Sequence, residues 1–242
     1  MCDKFDWSEK RVATIAHLCT VFSLDESIVD RVQNMIKEII QENFWIIGEN
    51  WTLIIRPWLE KICNIELMVF YPNIQEIIIP ASVIEIQKGA FEWLKQLKKV
   101  TFQWDAISVI PEDCFKNCCS LESIVLPRRV TVVWVSAFQW CTALTDVVLW
   151  ENLEEIWLNS FWNCKKLEHI SFPYNFQKIG IQAFSGSGLR SLIIPRTVTE
   201  IWSQAFKNCE NLGHVILKNL DQWIAIWQNA FEGCPLAIQG DN

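Results

Sequence analysis

The sequence predicts a solenoid of stacked repeats, and three observations support this fold class. First, seven phenylalanines recur at intervals of 22 to 25 residues: Phe91, Phe115, Phe138, Phe161, Phe184, Phe206 and Phe231. Second, a small residue stands before most of them and a cysteine usually follows three positions later. Third, a unit of about 23 residues cannot bury its own apolar face, so neighbouring units must stack and share one core.

Residues 1–50 contain no copy of the repeat, and we predict that they form a helical N-terminal cap. Apolar residues at 3.6-residue spacing between Ala13 and Phe22 indicate a first helix. Ser23 and Glu26 have the spacing of a capping box, which indicates the start of a second helix ending near Glu42. Such a cap would cover the first repeat, which has no neighbour before it.

Residues 51–242 are predicted to form the solenoid, with about seven units of 23 residues. Its degenerate first part has strands at 53–55 and 77–79. Each later unit has a short strand with two inward-facing apolar residues: Ile124 and Leu126, Val147 and Leu149, Ile170 and Phe172, Leu192 and Ile194, Val215 and Leu217. A second short strand follows, as at 130–133 and 198–201, before the next repeat phenylalanine.

The composition of the chain argues against a nucleic-acid partner and against a membrane span. The chain is 51% hydrophobic and 20% charged, with a net charge of −7. Because nucleic-acid binding needs Lys and Arg side chains to neutralise phosphates, we expect no nucleic-acid partner. No apolar run reaches 18 residues, so we expect no membrane span. The apolar stretch at 13–22 is a poor match to a signal peptide, since acidic residues precede it and no A-x-A site follows.

The ten cysteines are predicted to be reduced core residues and not a disulfide framework. Five of them follow a repeat phenylalanine by three positions, where the first repeat has Leu94 and the fifth has Ser187. A position that accepts Cys, Ser or Leu needs a compact filler, and free cysteine behaves as a small buried hydrophobe. Reduced thiols favour a reducing compartment such as the cytoplasm, although the compartment itself is not fixed by the sequence.

The repeat pattern resembles that of BspA-like leucine-rich repeats, which read L-x-x-I-x-L/I-P followed by V-T-x-I-G-x-x-A-F-x-x-C. Residues 190–209 match this pattern almost letter for letter, and the resemblance extends over about residues 74–236. It implies a right-handed coil with a parallel β-sheet on the concave face. It also implies a role in adhesion or protein binding, allows a cell-surface location, and carries no shared catalytic residue set.

The chain departs from the family pattern at two turn positions. Four residues before the repeat phenylalanine the family prefers glycine, but only Gly180 keeps it, and tryptophans stand at Trp134, Trp157, Trp202 and Trp227. Two residues after the phenylalanine, where Gly or Asn is usual, Trp93 and Trp140 appear. Glycine at such turns allows a positive φ or a close backbone approach. The substitutions indicate either a turn that does not require glycine or a sequence altered by design or selection.

The first candidate site is the outward face of the predicted sheet. Alternation along each strand places one residue column outward between the inward pairs: Thr101, Val125, Val148, Ser171, Ile193 and Ile216. A polar column lies two positions earlier: Lys99, Ser123, Asp146, His169, Ser191 and His214. An apolar stripe flanked by polar side chains is typical of a protein-binding face. The alternative is β-propensity, because Val and Ile favour strands even where they are exposed.

The second candidate site is the tryptophan ladder formed by Trp134, Trp157, Trp202 and Trp227. Stacked coils would place Trp134 and Trp157 about 5 Å apart, with the other pair beyond Gly180. Exposed tryptophan columns can bind carbohydrate or anchor a protein partner. The alternative is mutual stacking that holds the turns together.

We expect no enzyme activity, no cofactor and no metal site. His169 and His214 lie two repeats apart, so about 10 Å would separate them, which is too far for one zinc ion. Motifs such as G-x-S-x-G and H-E-x-x-H do not occur. The sequence therefore predicts a non-enzymatic scaffold that binds a partner protein through the concave sheet. Two alternatives stay open, a carbohydrate-binding adhesin module and a purely structural or engineered solenoid.

Overall fold

The structure is a computed structural model, which describes Asn34 and residues 45–62, 72–218 and 223–240. The strands assigned within these residues are, in chain order, β1 (Trp45–Ile47), β2 (Thr52–Ile55), β3 (Lys61–Ile62), β4 (Glu76–Ile79), β5 (Glu85–Ile86), β6 (Lys99–Phe102), β7 (Val109–Ile110), β8 (Ser123–Val125), β9 (Val132–Val133), β10 (Asp146–Val148), β11 (Glu155–Ile156), β12 (Lys178–Ile179), β13 (Ser191–Ile194), β14 (Glu200–Ile201), β15 (His214–Leu217), β16 (Ala225–Ile226) and β17 (Ala237–Gly240).

The longer strands form two parallel sheets, which we call the main sheets. One has the order β1-β2-β4-β6-β8-β10 and the other has the order β13-β15-β17. Every neighbouring pair is parallel except β1 and β2. Strands that follow one another at the repeat interval lie side by side, as in the pairing of Asp146 with Ser123. This register stacks the coils directly and confirms the predicted parallel-sheet solenoid of about seven turns.

A second parallel ladder runs along another side of each coil. Its two-residue strands have the order β16-β14-β12-β11-β9-β7, and β3 pairs with β5 in a separate two-stranded sheet. The sequence predicts such strands at 130–133 and 198–201, and the structure has them at 132–133 and 200–201. In β9, β11, β12 and β14 the second residue is buried while the first is partly exposed. These coils therefore contribute residues of the second ladder to the shared core as well.

The seven repeat phenylalanines form a single file through the core. Consecutive rings stack with centroid distances between 5.0 and 5.4 Å. The first six side chains are fully buried, whereas Phe231 in the last coil is half-buried. Burying an aromatic side chain of this size stabilises a fold by about 1.5–3 kcal/mol, so the file is a major source of stability.

The prediction of a strand at Ile170 and Phe172 is wrong. No strand is assigned to residues 169–172, and the main sheet ends at β10 and resumes at β13. In this coil Phe172 and Phe176 occupy positions that are aliphatic in the neighbouring coils, and their rings stack at 4.5 Å. This stacked ring pair distinguishes the coil from its neighbours, and Ile170 still faces inward.

The predicted helical cap is not supported by the residues that the structure describes. The helices predicted over 13–42 lie outside those residues, with the exception of Asn34. Within the predicted cap, residues 45–47 form a strand that pairs antiparallel with β2, and Glu49–Trp51 form a 3-10 turn. The apolar run Trp45–Ile47 suits an edge strand better than a helix end, because β-branched and aromatic residues favour strands.

The two turn positions where the family prefers small residues have different physical demands. Two residues after the repeat phenylalanine, φ is positive in all seven coils, including 65° at Trp93 and 63° at Trp140. Bulky side chains rarely adopt this conformation. Four residues before it, the demand is close approach, because a Cβ added at Gly180 would lie 2.6 Å from the carbonyl carbon of Trp157. Trp93 and Trp140 therefore adopt a backbone conformation that is unusual for bulky residues, whereas the close approach is a property of the coil that contains Gly180.

Candidate functional site

The apolar column on the main sheets lies exposed, as the alternation of each strand predicts. The side chains of Val125, Val148 and Ile193 are 52%, 40% and 53% exposed, and Ile216 is half-buried. Val148 pairs with Val125 on the adjacent coil, and Ile216 pairs with Ile193. We call the surface formed by these four residues and the polar column beside it the main-sheet face.

The polar column accompanies the apolar column on the same coils. Asp146 pairs with Ser123 across β10 and β8, and His214 pairs with Ser191 across β15 and β13. All four side chains are exposed. The Asp146 carboxylate accepts a hydrogen bond from the Thr145 hydroxyl at 2.8 Å, which fixes one of its oxygens and leaves the other toward solvent. The main-sheet face thus combines aliphatic side chains with a carboxylate and an imidazole.

The break between the two main sheets divides this face. His169 and Ser171 are exposed, but they belong to the coil that has no main-sheet strand. Val125, Val148 and Asp146 lie on the first sheet, and Ile193 and His214 lie on the second. The two apolar patches are therefore not joined by a main-sheet strand of the intervening coil.

The tryptophans four residues before the repeat phenylalanine form two stacked pairs. The rings of Trp134 and Trp157 lie 5.2 Å apart at 22°, and those of Trp202 and Trp227 lie 5.9 Å apart at 26°. All four side chains remain partly exposed. Within each pair, each ring covers the facing surface of the other, and this stacking holds the adjacent coils together. The partner ring does not cover the ring edges or the outward-facing surfaces.

Two glutamates hold this ladder in place, and the sequence interpretation missed them. Trp157 Nε1 donates to Glu155 Oε2 at 2.9 Å, and Trp202 Nε1 donates to Glu200 Oε2 at 2.8 Å. The Glu155 carboxylate also pairs with Lys178 at 3.3 Å. The sequence signal is a repeated Glu-Ile-Trp, in which the strand alternation places Glu and Trp on the same side.

The repeat cysteines form a buried column, as predicted. The seven cysteines that the structure describes are free, and Cys118, Cys141 and Cys164 are fully buried. Each of these three thiols donates to the carbonyl oxygen of the repeat phenylalanine in the preceding coil, at 3.1–3.2 Å. Burial away from water raises the pKa of each thiol above its usual value, because the thiolate would lose its hydration.

Thiol alkylation provides a direct check on this column. We expect Cys118, Cys141 and Cys164 to resist iodoacetamide at pH 8 in the folded protein, because they are buried and their raised pKa values leave almost no thiolate. Peptide mass spectrometry should find them alkylated only after denaturation. Cys119, which is only partly buried, serves as the internal control. Rapid native labelling of the three buried thiols would contradict the packed column.

Across residues 45–62, 72–218 and 223–240, no group of three or more His, Cys, Asp or Glu is arranged to hold a metal ion. Nor does any described residue belong to a helix with the length and hydropathy required to cross a bilayer.

Comparison with protein families gives one match, which covers most of the chain. The model described as "BspA type Leucine rich repeat region" matches residues 63–190 and 177–239, in six copies. This match confirms the resemblance found in the sequence. No curated protein matches the chain significantly.

Three solved structures that are similar to this chain are bacterial leucine-rich repeat proteins. The T. pallidum leucine rich repeat protein is 24% identical with a TM-score of 0.62, and the match covers 79% of this chain and 87% of that one. A leucine rich cell surface protein from Faecalibacterium prausnitzii is 21% identical with a TM-score of 0.51, over 82% and 52% of the two chains. A leucine-rich repeat protein from Eubacterium ventriosum is 28% identical with a TM-score of 0.46, and this chain spans only 32% of its length.

Proposed function

Because the chain belongs to the BspA-type leucine-rich-repeat family, we propose that it is a non-enzymatic scaffold that recognises a partner protein through the main-sheet face. The observation that carries the proposal is the exposed apolar column of Val125, Val148 and Ile193. Val125 pairs with Val148, and Ile193 pairs with Ile216, so each pair forms an exposed apolar patch. Such patches commonly mark interaction sites.

The polar side chains beside this column supply selectivity. Asp146 lies next to the first apolar patch, and His214 lies next to the second. A partner that covers the face must pair with or avoid these groups, because a buried unpaired charge is costly. The chemistry of the face therefore favours a partner surface with an apolar centre and hydrogen-bonding groups at its edge.

Replacement of Ile193 by arginine tests this proposal. We expect Ile193→Arg to weaken binding of a partner at least about tenfold, because it places a charge in the apolar centre of the contact. The partner is first identified by photocrosslinking from position 193, and its affinity is then measured by calorimetry with the purified proteins. Because Ile193 is exposed, the melting temperature should change little.

Ile84 provides the matched control. Its side chain is 60% exposed, similar to Ile193, but it lies outside the main sheets. Ile84→Arg should therefore retain the affinity of the parent protein. Equal affinities for the parent protein and Ile193→Arg would reject the main-sheet face as the binding surface.

A further inference from the structure

The tryptophan ladder lacks one ring, at Gly180. The pairing of Glu155 with Lys178 and of Lys178 with Glu200 places three coils in direct succession. Trp157 lies on the first of these coils and Trp202 on the third, while the middle coil has Gly180 at the same position. Two strand spacings of about 4.8 Å put the two indoles about 10 Å apart. We call the gap between Trp157 and Trp202 over Gly180 the aromatic slot.

The dimensions of the aromatic slot suit one planar group. In the observed pairs, indole rings lie 5.2 and 5.9 Å from their neighbours. A planar group midway between two rings about 10 Å apart would lie about 5 Å from each, which is close to the same stacking distance. Among the described residues, no ring contact joins Trp157 with Trp202, and each indole stacks on a neighbour on the side away from Gly180. One face of each indole is thus directed toward the slot.

The backbone keeps the slot free of a side chain from position 180. A Cβ added to Gly180 would come within 2.8 Å of the backbone nitrogen of Leu158 and closer still to Trp157. Such contacts are with backbone atoms and cannot be relieved by rotation of a side chain. The close approach of the two coils therefore requires glycine where the other coils of the ladder have tryptophan.

The charges beside the slot favour a cation. Glu155 and Glu200 each fix an indole through one carboxylate oxygen, so their negative charges lie at the rim. Lys178 lies between them in the ladder and pairs with Glu155 at 3.3 Å. Two carboxylates and one ammonium leave a net negative rim, and indole faces attract cations through their π-electrons.

We propose that the aromatic slot binds the guanidinium group of an arginine side chain carried by a partner peptide. Guanidinium is planar, stacks on aromatic faces and donates in-plane hydrogen bonds to carboxylates. A lysine ammonium is compact, strongly hydrated and not planar, so it cannot stack between both rings in the same way. The slot is built on the second ladder and the proposal does not depend on the main-sheet face.

Titration with N-acetyl-arginine amide tests the proposal in the full chain. NMR signals of the Trp157 and Trp202 indole N–H groups should shift, and N-acetyl-lysine amide should bind at least about fivefold more weakly. Trp202→Leu should weaken binding of the arginine probe about tenfold, because one stacking face is lost. Trp104→Leu removes an exposed indole outside the ladder and should leave the affinity unchanged.

Two charge variants are expected to change the affinity for the arginine probe in opposite directions, and neither replaces a core residue. Lys178→Met should strengthen binding of the arginine probe about twofold or more, because it removes the cation at the rim. Glu200→Gln should weaken it, since the rim loses a negative charge. Circular dichroism checks that each variant is folded. No binding of the arginine probe, stronger binding of N-acetyl-tryptophan amide, or no effect of Trp202→Leu would each overturn the proposal.

Discussion

Replacement of Phe161 by alanine is expected to lower the free energy of unfolding by about 3–5 kcal/mol. The ring is fully buried, and it stacks on Phe138 at 5.0 Å and on Phe184 at 5.2 Å. Its removal leaves a cavity in the middle of the file, and both neighbouring rings lose a stacking partner. Because the rigid ladders on either side limit collapse of the cavity, the loss should lie near the upper part of this range. Urea titration followed by circular dichroism measures it.

Phe231 is the matched control, because it occupies the same repeat position in the last coil. Its ring is half-buried and stacks on one repeat phenylalanine, Phe206, at 5.1 Å. We expect Phe231→Ala to lower the free energy of unfolding by no more than about half as much as Phe161→Ala, since less apolar area is removed from the core. Equal losses for the two variants, or a loss below about 1 kcal/mol for Phe161→Ala, would contradict a continuous core.

Replacement of Gly188 by alanine should also be strongly destabilising. A Cβ at this position would meet the carbonyl oxygen of Lys165 in the adjacent coil at a distance that real contacts do not show. Because the opposing atom belongs to the backbone, relief requires the two coils to move apart. Overpacking of this kind costs about 1–3 kcal/mol, and the rigid neighbour places Gly188→Ala at the upper end. Chemical denaturation would show the effect as a lower midpoint with an unchanged slope.

Gly213, a glycine in the next coil, is the control for this prediction. An added Cβ there has no neighbour within 4 Å. Gly213→Ala should therefore be neutral or slightly stabilising, by up to about 1 kcal/mol, because alanine restricts the unfolded chain. If the two glycine variants had the same stability, the tight packing of the coil containing Gly188 against Lys165 would be disproved.

Much of the fold could be predicted from the sequence because each coil repeats the same pattern of buried and exposed residues. The spacing of the phenylalanines fixes the length of one coil, and the alternation within strands assigns residues such as Ile124 to the core and Val125 to the surface. The break at residues 169–172 was not predictable from that pattern. Phe172 satisfies the requirement for an apolar inward residue, and its stacking on Phe176 depends on side-chain packing that the period does not determine.

The candidate sites were predictable to a lesser extent. Strand alternation identified the outward columns, since it depends only on the sequence period. The hydrogen bonds from Trp157 to Glu155 and from Trp202 to Glu200 depend on side-chain rotamers, which the period does not determine. In the sequence, Gly180 stands out only because the same repeat position carries tryptophan in the adjacent coils. The gap above Gly180 could be recognised only from the stacking geometry of the two neighbouring tryptophan pairs.

The central feature of the fold is the stacking of successive coils in register. Nuclear Overhauser effects between selectively labelled phenylalanine rings would test it. We expect signals between Phe138 and Phe161, and between Phe161 and Phe184, whose ring centroids lie 5.0 and 5.2 Å apart. No direct signal is expected between Phe138 and Phe184, because a whole coil separates them. A strong direct signal between Phe138 and Phe184, or none between consecutive repeats, would contradict the stacked solenoid.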